Sequence, residues 1–291
     1  MSTSESTRLQ VVFDDLQSTI ADLIIKHGVT EQEFQQAIAW ALELAEAGEM
    51  PMTIYQFFMH PVLEVNLGAA YANPEKDGAS PWIGRGPAYA PGAPVLERPY
   101  ALPMRPDEPG EALFVSGQVR STSGEPIAGA ELDIWMTNAK GDYSNLTAEM
   151  IRPLVIDIDE SLPPFNLRGK LLTDDEGRFE YRTVMPGIEV MGIAEDGPLG
   201  KLIKKLDRVD TRPLHIHAIV TAAGFHTLTT QSHFEGDPRV GNTLEPRTTP
   251  ESSVHATQLH DDPADFKARG LDAPYHTVTH DYVLRPVTPA V

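Results

Sequence analysis

The chain has 291 residues, and its 41% of hydrophobic residues can bury the core of one large domain, or of a core domain plus a smaller one. Cysteine is absent, which excludes disulfides and thiolate metal sites, and a formal net charge of -19 makes nucleic acid a poor partner. Without an apolar run of about 18 residues or a basic-then-apolar start, we expect no membrane span, no secretory signal and a cytoplasmic location.

The first part of the chain, residues 1–73, is predicted to be helical. In residues 8–27 the apolar side chains recur with a period close to 3.6, at Val12, Leu16, Ile20 and Leu23. Gly28 fits the end of this helix, and Thr30 with Glu33 has the spacing of a capping box that starts a second one. A third helix is expected within residues 51–72.

The rest of the chain changes character twice. Residues 74–111 are rich in proline and glycine, as in "GRGPAYAPGAP", which indicates an irregular linker that is functional or packed against the rest. Residues 112–291 contain short runs with period-2 alternation separated by turn signals, including hairpin-like units at "LLTDDEGRFEYRTV" and "LHIHAIVTAAGFHTLTTQSHF". We therefore predict a mainly β protein, with a β-sandwich catalytic domain and an N-terminal α-helical region.

Two histidines in one of these strands are the first candidates for chemistry. His215 and His217 are two residues apart, so their side chains point to the same face of a strand and can reach one metal ion. The pair alone is a weak signal, because two hydrogen-bonded structural histidines fit the pattern equally well. Several metals bind such a pair, so the pair does not identify the metal.

Seven motifs in order sharpen this interpretation. They are "PIAGAELDIW" (126–135), "GDYS" (141–144), "NLRG" (166–169), "DEGRF" (175–179), "RPLHIH" (212–217), "LTTQ" (228–231) and "GDP" (236–238). In this order the motifs resemble those of the intradiol ring-cleavage dioxygenases, the catechol and hydroxyquinol 1,2-dioxygenase family. The N-terminal helices and the linker also look like that family's dimerisation region and linker, so the resemblance covers most of the chain.

The resemblance implies one ferric ion per subunit in a non-haem site, with dioxygen as co-substrate and a small aromatic diol as substrate. Tyr143, His215 and His217 are the implied metal ligands. Arg212 is implied to stabilise negative charge on the substrate ring, and Gln231 to lie near the substrate. Each has an ordinary alternative: Tyr143 as a loop tyrosine, Arg212 paired with a carboxylate such as Asp210, and Gln231 as a plain strand residue.

One family ligand, a second tyrosine, has no counterpart at its expected place. Counting back from Asp196-Gly197-Pro198 puts Met191 there, and a thioether is neither a base nor a good ligand for ferric iron. Three interpretations stay open for this fourth-ligand region. Water or hydroxide fills the position, which we favour; or Glu189 serves as carboxylate ligand and base; or the site has reduced or redirected activity.

Substrate choice is not readable from these residues. The linker residues Ile83 and Pro87 are candidates for substrate contact. The loop 147–164 is longer than the segment that usually leads to the "NLRG" motif in the family it resembles. Together with the altered ligand position, these features indicate a substituted or unusual substrate.

Two other functions are weighed against the dioxygenase. One is a different metal enzyme with a His-His-Tyr site, using zinc or ferrous iron, and the other is an inactive binding homologue. The resemblance further implies a homodimer formed through the helical region, whose interface in the family often encloses lipid.

Overall fold

The structure is a computed structural model and describes residues 3–59, 78–151, 158–244 and 249–287. The chain divides into two compact units, Met1–Met50 and Pro51–Val291, and each is described by itself. In the part of the chain that is described, no helix combines the length and the apolar character needed to cross a membrane.

The first unit contains two helices, α1 (Thr3–His27) and α2 (Glu31–Glu46). The predicted capping box is present at the start of α2, because the Glu33 backbone N–H donates to the Thr30 hydroxyl at 3.2 Å and the Thr30 N–H donates to the Glu33 carboxylate at 2.8 Å. The apolar face of α1 is exposed in the single chain: the side chains of Val12, Leu16, Ile20 and Leu23 are all about half accessible.

A short helix, α3 (Met50–Ile54), continues into a π-helical turn (Tyr55–Met59). The third helix predicted over residues 51–72 thus begins as expected. Its remaining part, from residue 60, lies outside the described residues.

The second unit is built on two sheets. The six-stranded sheet comprises β1 (Tyr100–Ala101), β2 (Ala112–Ser121), β5 (Arg178–Val184), β9 (Thr257–His260), β10 (Tyr275–Thr279) and β11 (Tyr282–Leu284). The five-stranded sheet comprises β3 (Glu131–Trp135), β4 (Arg168–Leu172), β6 (His215–Thr221), β7 (Leu228–Phe234) and β8 (Val254–His255). This β-rich content confirms the predicted fold class at that level.

One buried apolar cluster takes side chains from both sheets. The six-stranded sheet contributes Leu113, Val115 and Tyr181, and the five-stranded sheet contributes Leu132, Ile134, Ile216 and Ala218. Because successive strand residues face opposite sides, the neighbours of these core residues, such as Trp135 and His217, lie on the other face of the five-stranded sheet. That outer face carries the candidate site.

The structure corrects the prediction for residues 112–291 in two respects, a strand pairing and two additional helices. The run "LLTDDEGRFEYRTV" does hold two strands, but they do not form a hairpin: β4 pairs with β3, whereas β5 pairs with β1 and β2. Leu171 and Phe179 are both buried in the common core, so placing the two strands in different sheets buries the apolar face of each. Two helices unforeseen in the sequence, α4 (Pro198–Lys205) and α5 (Pro263–Ala268), also interrupt the strands.

Candidate metal centre

Strand β6 presents the two candidate histidines on its outer face. Ile216 and Ala218 point into the core, so His215 and His217 point the opposite way, and both are nearly fully buried. Across the sheet, His217 lies between Trp135 of β3 and Gln231 of β7. The Trp135 indole stacks on the His217 imidazole with 4.6 Å between ring centroids and 5° between planes, which fixes the orientation of the ring.

Tyr143 reaches the same place from the loop after β3. The loop closes on itself, because the Asn138 N–H donates to the Asp142 carbonyl at 2.9 Å. The Arg168 guanidinium, which is buried, donates to the Ser144 carbonyl at 2.6 Å. Arg168 belongs to the "NLRG" motif, so that motif holds the tyrosine loop in place.

Four atoms that can bind a metal ion, here called the donor atoms, meet at this point. The Tyr143 hydroxyl oxygen lies 3.0 Å from His217 Nε2, 3.2 Å from His215 Nε2 and 3.3 Å from Glu189 Oε2. The two Nε2 atoms are 2.9 Å apart, and His215 Nε2 is 3.4 Å from Glu189 Oε2. The Tyr143 oxygen is within 3.3 Å of each of the other three atoms, so the phenol is central to the cluster.

The spacing and chemistry of the donors fit a single metal ion. Two ligands at about 2.0–2.1 Å from one ion lie about 2.8–3.4 Å apart when the angle between them is about 90–109°. The distances observed between donor atoms, 2.9–3.4 Å, match this range. The donor set of imidazole nitrogens with phenol and carboxyl oxygens suits iron.

The protonation of His215 also suits a ligand. Its Nδ1 lies 2.7 Å from the Pro213 carbonyl, an arrangement that places the ring proton on Nδ1 and leaves the lone pair of Nε2 for the cluster. His217 Nδ1 is buried without a hydrogen-bond partner among the described residues. The His217 ring is therefore held mainly by the stacked Trp135.

Burial shapes the pKa values of the cluster. It raises the pKa of Tyr143 well above its ordinary value, and the neighbouring Glu189 carboxylate raises it further. Burial, assisted by the positive charge of Arg212, lowers the pKa of His215 well below its ordinary value. The imidazoles are thus kept neutral and free to coordinate, and a bound cation would stabilise the phenolate that burial alone disfavours.

Arg212 and Gln231, the other candidate residues, are joined to each other. The buried Arg212 guanidinium donates to the Gln231 side-chain oxygen at 2.9 Å, and the Gln231 amide donates to the Gly84 carbonyl at 2.8 Å. Gln231 therefore links the linker to the arginine.

The linker candidates lie close by. Ile83 is buried, and its backbone N–H donates to the Thr229 carbonyl of β7 at 2.9 Å. Pro87 is half-buried in the turn that begins at Gly86. A β-carbon on Gly86 would lie 3.9 Å from His217 Cε1, so this turn passes beside the His217 ring.

The two candidates for a fourth ligand have different surroundings. Glu189 belongs to the donor cluster, whereas the buried Met191 sulphur accepts a hydrogen bond from the Gln56 amide at 3.0 Å. Sequence reasoning missed Gln56 and the supporting Arg168. Arg168 could have been found from its motif, but no local pattern singles out Gln56.

Comparison with known proteins places these features in a family. The sequence profile of a family described as "Dioxygenase" matches residues 84–285. A chlorocatechol 1,2-dioxygenase of Rhodococcus opacus is 35% identical over 80% of this chain and 84% of its own length. A catechol 1,2-dioxygenase of Pseudomonas sp. (strain EST1001) is 30% identical over 87% of this chain and 78% of its own length.

A solved structure gives the same result in three dimensions. The crystal structure of 3-chlorocatechol 1,2-dioxygenase from Rhodococcus opacus 1CP superposes with a TM-score of 0.70 at 28% identity, covering 97% of this chain and all of that one.

Proposed function

Because this chain belongs to the intradiol ring-cleavage dioxygenases, a family of oxidoreductases, we propose that it opens the ring of a catechol- or hydroxyquinol-type diol between the two hydroxyl-bearing carbons. One diol and one dioxygen would give one muconate-type dicarboxylic acid. The bond between the two carbons breaks, the organic substrate is oxidised, and both oxygen atoms enter the new carboxyl groups.

The observation that carries this proposal is the convergence of the Tyr143, His215 and His217 donor atoms within 3.2 Å of one another. These three side chains would hold one iron ion per subunit. A ferric ion held by these three side chains would supply Lewis-acid chemistry, drawing electron density from the diol so that its ring reacts with dioxygen.

The surrounding residues would support this chemistry without changing their places. Arg212 carries a buried positive charge 2.9 Å from Gln231, where it would stabilise negative charge that develops on the substrate. Gln231 positions that guanidinium through its bond to Gly84. Trp135 holds the His217 ring, and the burial of the cluster limits access of water.

A substituted diol is our proposed substrate. The relative from Rhodococcus opacus is named as a chlorocatechol enzyme, which supports a pocket that accepts ring substituents. Ile83 and Pro87, on the linker whose Gly86 passes beside the His217 ring, are the proposed contacts with the substrate ring. The loop 147–164 is the proposed cover of the site; part of it, 152–157, lies outside the described residues.

The domain organisation proposed with this function has three parts: a helical dimerisation region (1–73), a linker (74–111) and an iron-binding β-sandwich (112–291). The shared core of the two sheets supports the sandwich. The exposed apolar face of α1 supports a homodimer, with lipid at its interface as a further expectation.

The first experiment measures iron content and the visible spectrum, before and after a catechol is added without oxygen, and then muconate formation in air. We expect near-stoichiometric iron, a phenolate-to-iron absorption band and a new catecholate band. The band should disappear in Tyr143→Phe and persist in Tyr275→Phe, a buried tyrosine elsewhere in the domain. A colourless protein with zinc or no metal, unchanged by catechols, would refute the proposal.

A further inference from the structure

We propose that Glu189 is a fourth protein ligand, so that two imidazoles, one phenolate and one carboxylate hold the metal. The inference rests on the proposed function for the identity of the ion. The ligand assignment rests on geometry alone.

The first argument is the position of the carboxylate. Glu189 Oε2 lies 3.3 Å from the Tyr143 hydroxyl and 3.4 Å from His215 Nε2, the separations expected of ligands that share one ion. Only 8% of Glu189 is exposed. A carboxylate in such a buried place can balance the charge of a cation bound where the four atoms meet.

The second argument is that the backbone fixes Glu189 in this place. On one side, the Gly187 N–H donates to the Asn138 carbonyl at 2.8 Å, which ties the segment to the Tyr143 loop. On the other side, the Arg212 N–H donates to the Glu189 carbonyl at 3.0 Å. The same short segment thus connects the tyrosine loop with the start of strand β6. That loop and that strand carry the other proposed ligands.

The alternation of the segment gives the third argument. Ile188 and Val190 are exposed, whereas Glu189 and Met191 are buried, as in an extended strand with one inward face. Met191 is engaged with the Gln56 amide, and its soft sulphur suits a hard ferric ion poorly. Of the two inward side chains, the carboxylate is therefore the one that serves as ligand.

Charge balance agrees with this assignment. A phenolate and a carboxylate together give the centre two anionic oxygen donors, which a thioether could not do. Two buried guanidiniums lie near the cluster. Arg212 donates to Gln231, the strand neighbour of His217, and the Arg168 guanidinium carbon lies 5.7 Å from the centre of the Tyr143 ring. These positive charges compensate the anionic donors in a buried place.

The experiment compares Glu189→Gln with Met191→Leu, two buried and nearly isosteric changes two residues apart. Metal-free proteins are titrated with Co²⁺, whose visible absorption reports its ligands, and the iron-loaded proteins are examined by visible spectroscopy. We expect Glu189→Gln to weaken Co²⁺ binding at least about tenfold and to shift the phenolate-to-iron band, while Met191→Leu changes neither. Glu189→Tyr should instead add a second phenolate band.

The outcomes separate this inference from the proposed function. If wild type forms muconate but Glu189→Gln binds Co²⁺ as wild type does and keeps its spectrum, Glu189 is not a ligand and the inference is wrong. A wild type that forms no muconate, yet loses Co²⁺ affinity on Glu189→Gln, would overturn the function and support the ligand. Circular dichroism of the metal-free variants checks that each is folded.

Discussion

At the scale of single residues, the centre consists of side chains that the fold holds in one orientation. Trp135 stacks on His217, the Pro213 carbonyl fixes the His215 tautomer, and Gln231 holds Arg212. Each contact restricts a group before any substrate arrives. Such preorganisation is what makes electrostatic stabilisation effective in a buried site.

Replacement of Arg212 by Met should lower kcat about 10²–10³-fold, because it removes a preorganised positive charge beside the substrate. Gln231→Ala should have a smaller effect on kcat, since Gln231 acts by positioning Arg212. Arg208→Met, a change of a half-buried arginine that donates to the Gly241 carbonyl in the same region of the chain, serves as control. Steady-state kinetics with a catechol would rank the variants by their loss of kcat. Equal losses in Arg212→Met and Arg208→Met would contradict charge stabilisation by Arg212.

His280 makes a separate prediction about pH. Burial lowers the pKa of His280 from 6.5 to about 3, because the neutral ring is enclosed beside Ser232. The unfolded chain therefore binds more protons than the folded one between about pH 6.5 and pH 3. The free energy of unfolding should fall as pH drops through this window.

The measurement is urea unfolding at several pH values between 7 and about 4. His280→Phe should be less stable than wild type near neutral pH, because Ser232 loses its partner, but its stability should decline less steeply with acid. A variant that declines as steeply as wild type would exclude His280 as a source of the acid sensitivity.

At the scale of elements, the loop that carries Tyr143 depends on Gly141. Gly141 has φ 95°, and a β-carbon there would collide with the Ile188 carbonyl oxygen. Because Ile188 precedes Glu189, this close approach couples the positions of the two oxygen donors.

Gly141→Ala should therefore lower the free energy of unfolding by more than the roughly 1–2 kcal/mol expected for a left-handed φ alone. Gly129→Ala is the matched control, since Gly129 has φ 65° and open space around the missing β-carbon. Chemical denaturation of both variants, together with iron affinity, tests this. Equal losses of stability would show that the approach to Ile188 is not restrictive.

The elements also show what the sequence could and could not predict. Period-2 alternation located β2, β3, β6 and β7, because one face of each packs into the common core, although the other face of β3, β6 and β7 is also largely buried. It could not tell which strands pair, since pairing is decided by distant residues; hence β4 and β5 were expected to pair and do not. Helices α4 and α5 were missed because they have only 8 and 6 residues, although Pro198 and the Asp262-Pro263 cap mark their starts.

For the candidate site too, some residues could be predicted from the sequence and one could not. Tyr143, His215 and His217 were singled out by motifs and lie together in the structure. Water was favoured for the fourth position, whereas the structure brings Glu189 to the cluster. Counting back from Asp196 could not settle this, because the side-chain orientation of the segment depends on its contacts with residues 138 and 212.

At the scale of the whole molecule, the apolar face of α1 indicates an interface. A row of half-exposed Val, Leu and Ile side chains along one helix is typical of a surface that another surface covers. We expect a homodimer that buries this row.

Leu16→Glu should convert the dimer to a monomer at micromolar concentration, because a carboxylate would be buried in the apolar interface. Ser18→Glu, which adds the same charge at an exposed position on the opposite side of α1, should leave the dimer intact. Light scattering coupled to size-exclusion chromatography measures the mass of each. A Leu16→Glu variant that stays dimeric would place the interface elsewhere.

The division of β4 and β5 between two sheets bears on how the protein is made. The chain crosses from the five-stranded to the six-stranded sheet between these strands, so neither sheet has all its strands until the other is also assembled. Such long-range pairing folds slowly, in about milliseconds to seconds. Tyr143 follows a strand of one sheet and Glu189 follows a strand of the other, so their meeting depends on both sheets having packed. We therefore expect the newly synthesised polypeptide to fold first and to bind the proposed iron ion afterwards, as the last step of maturation.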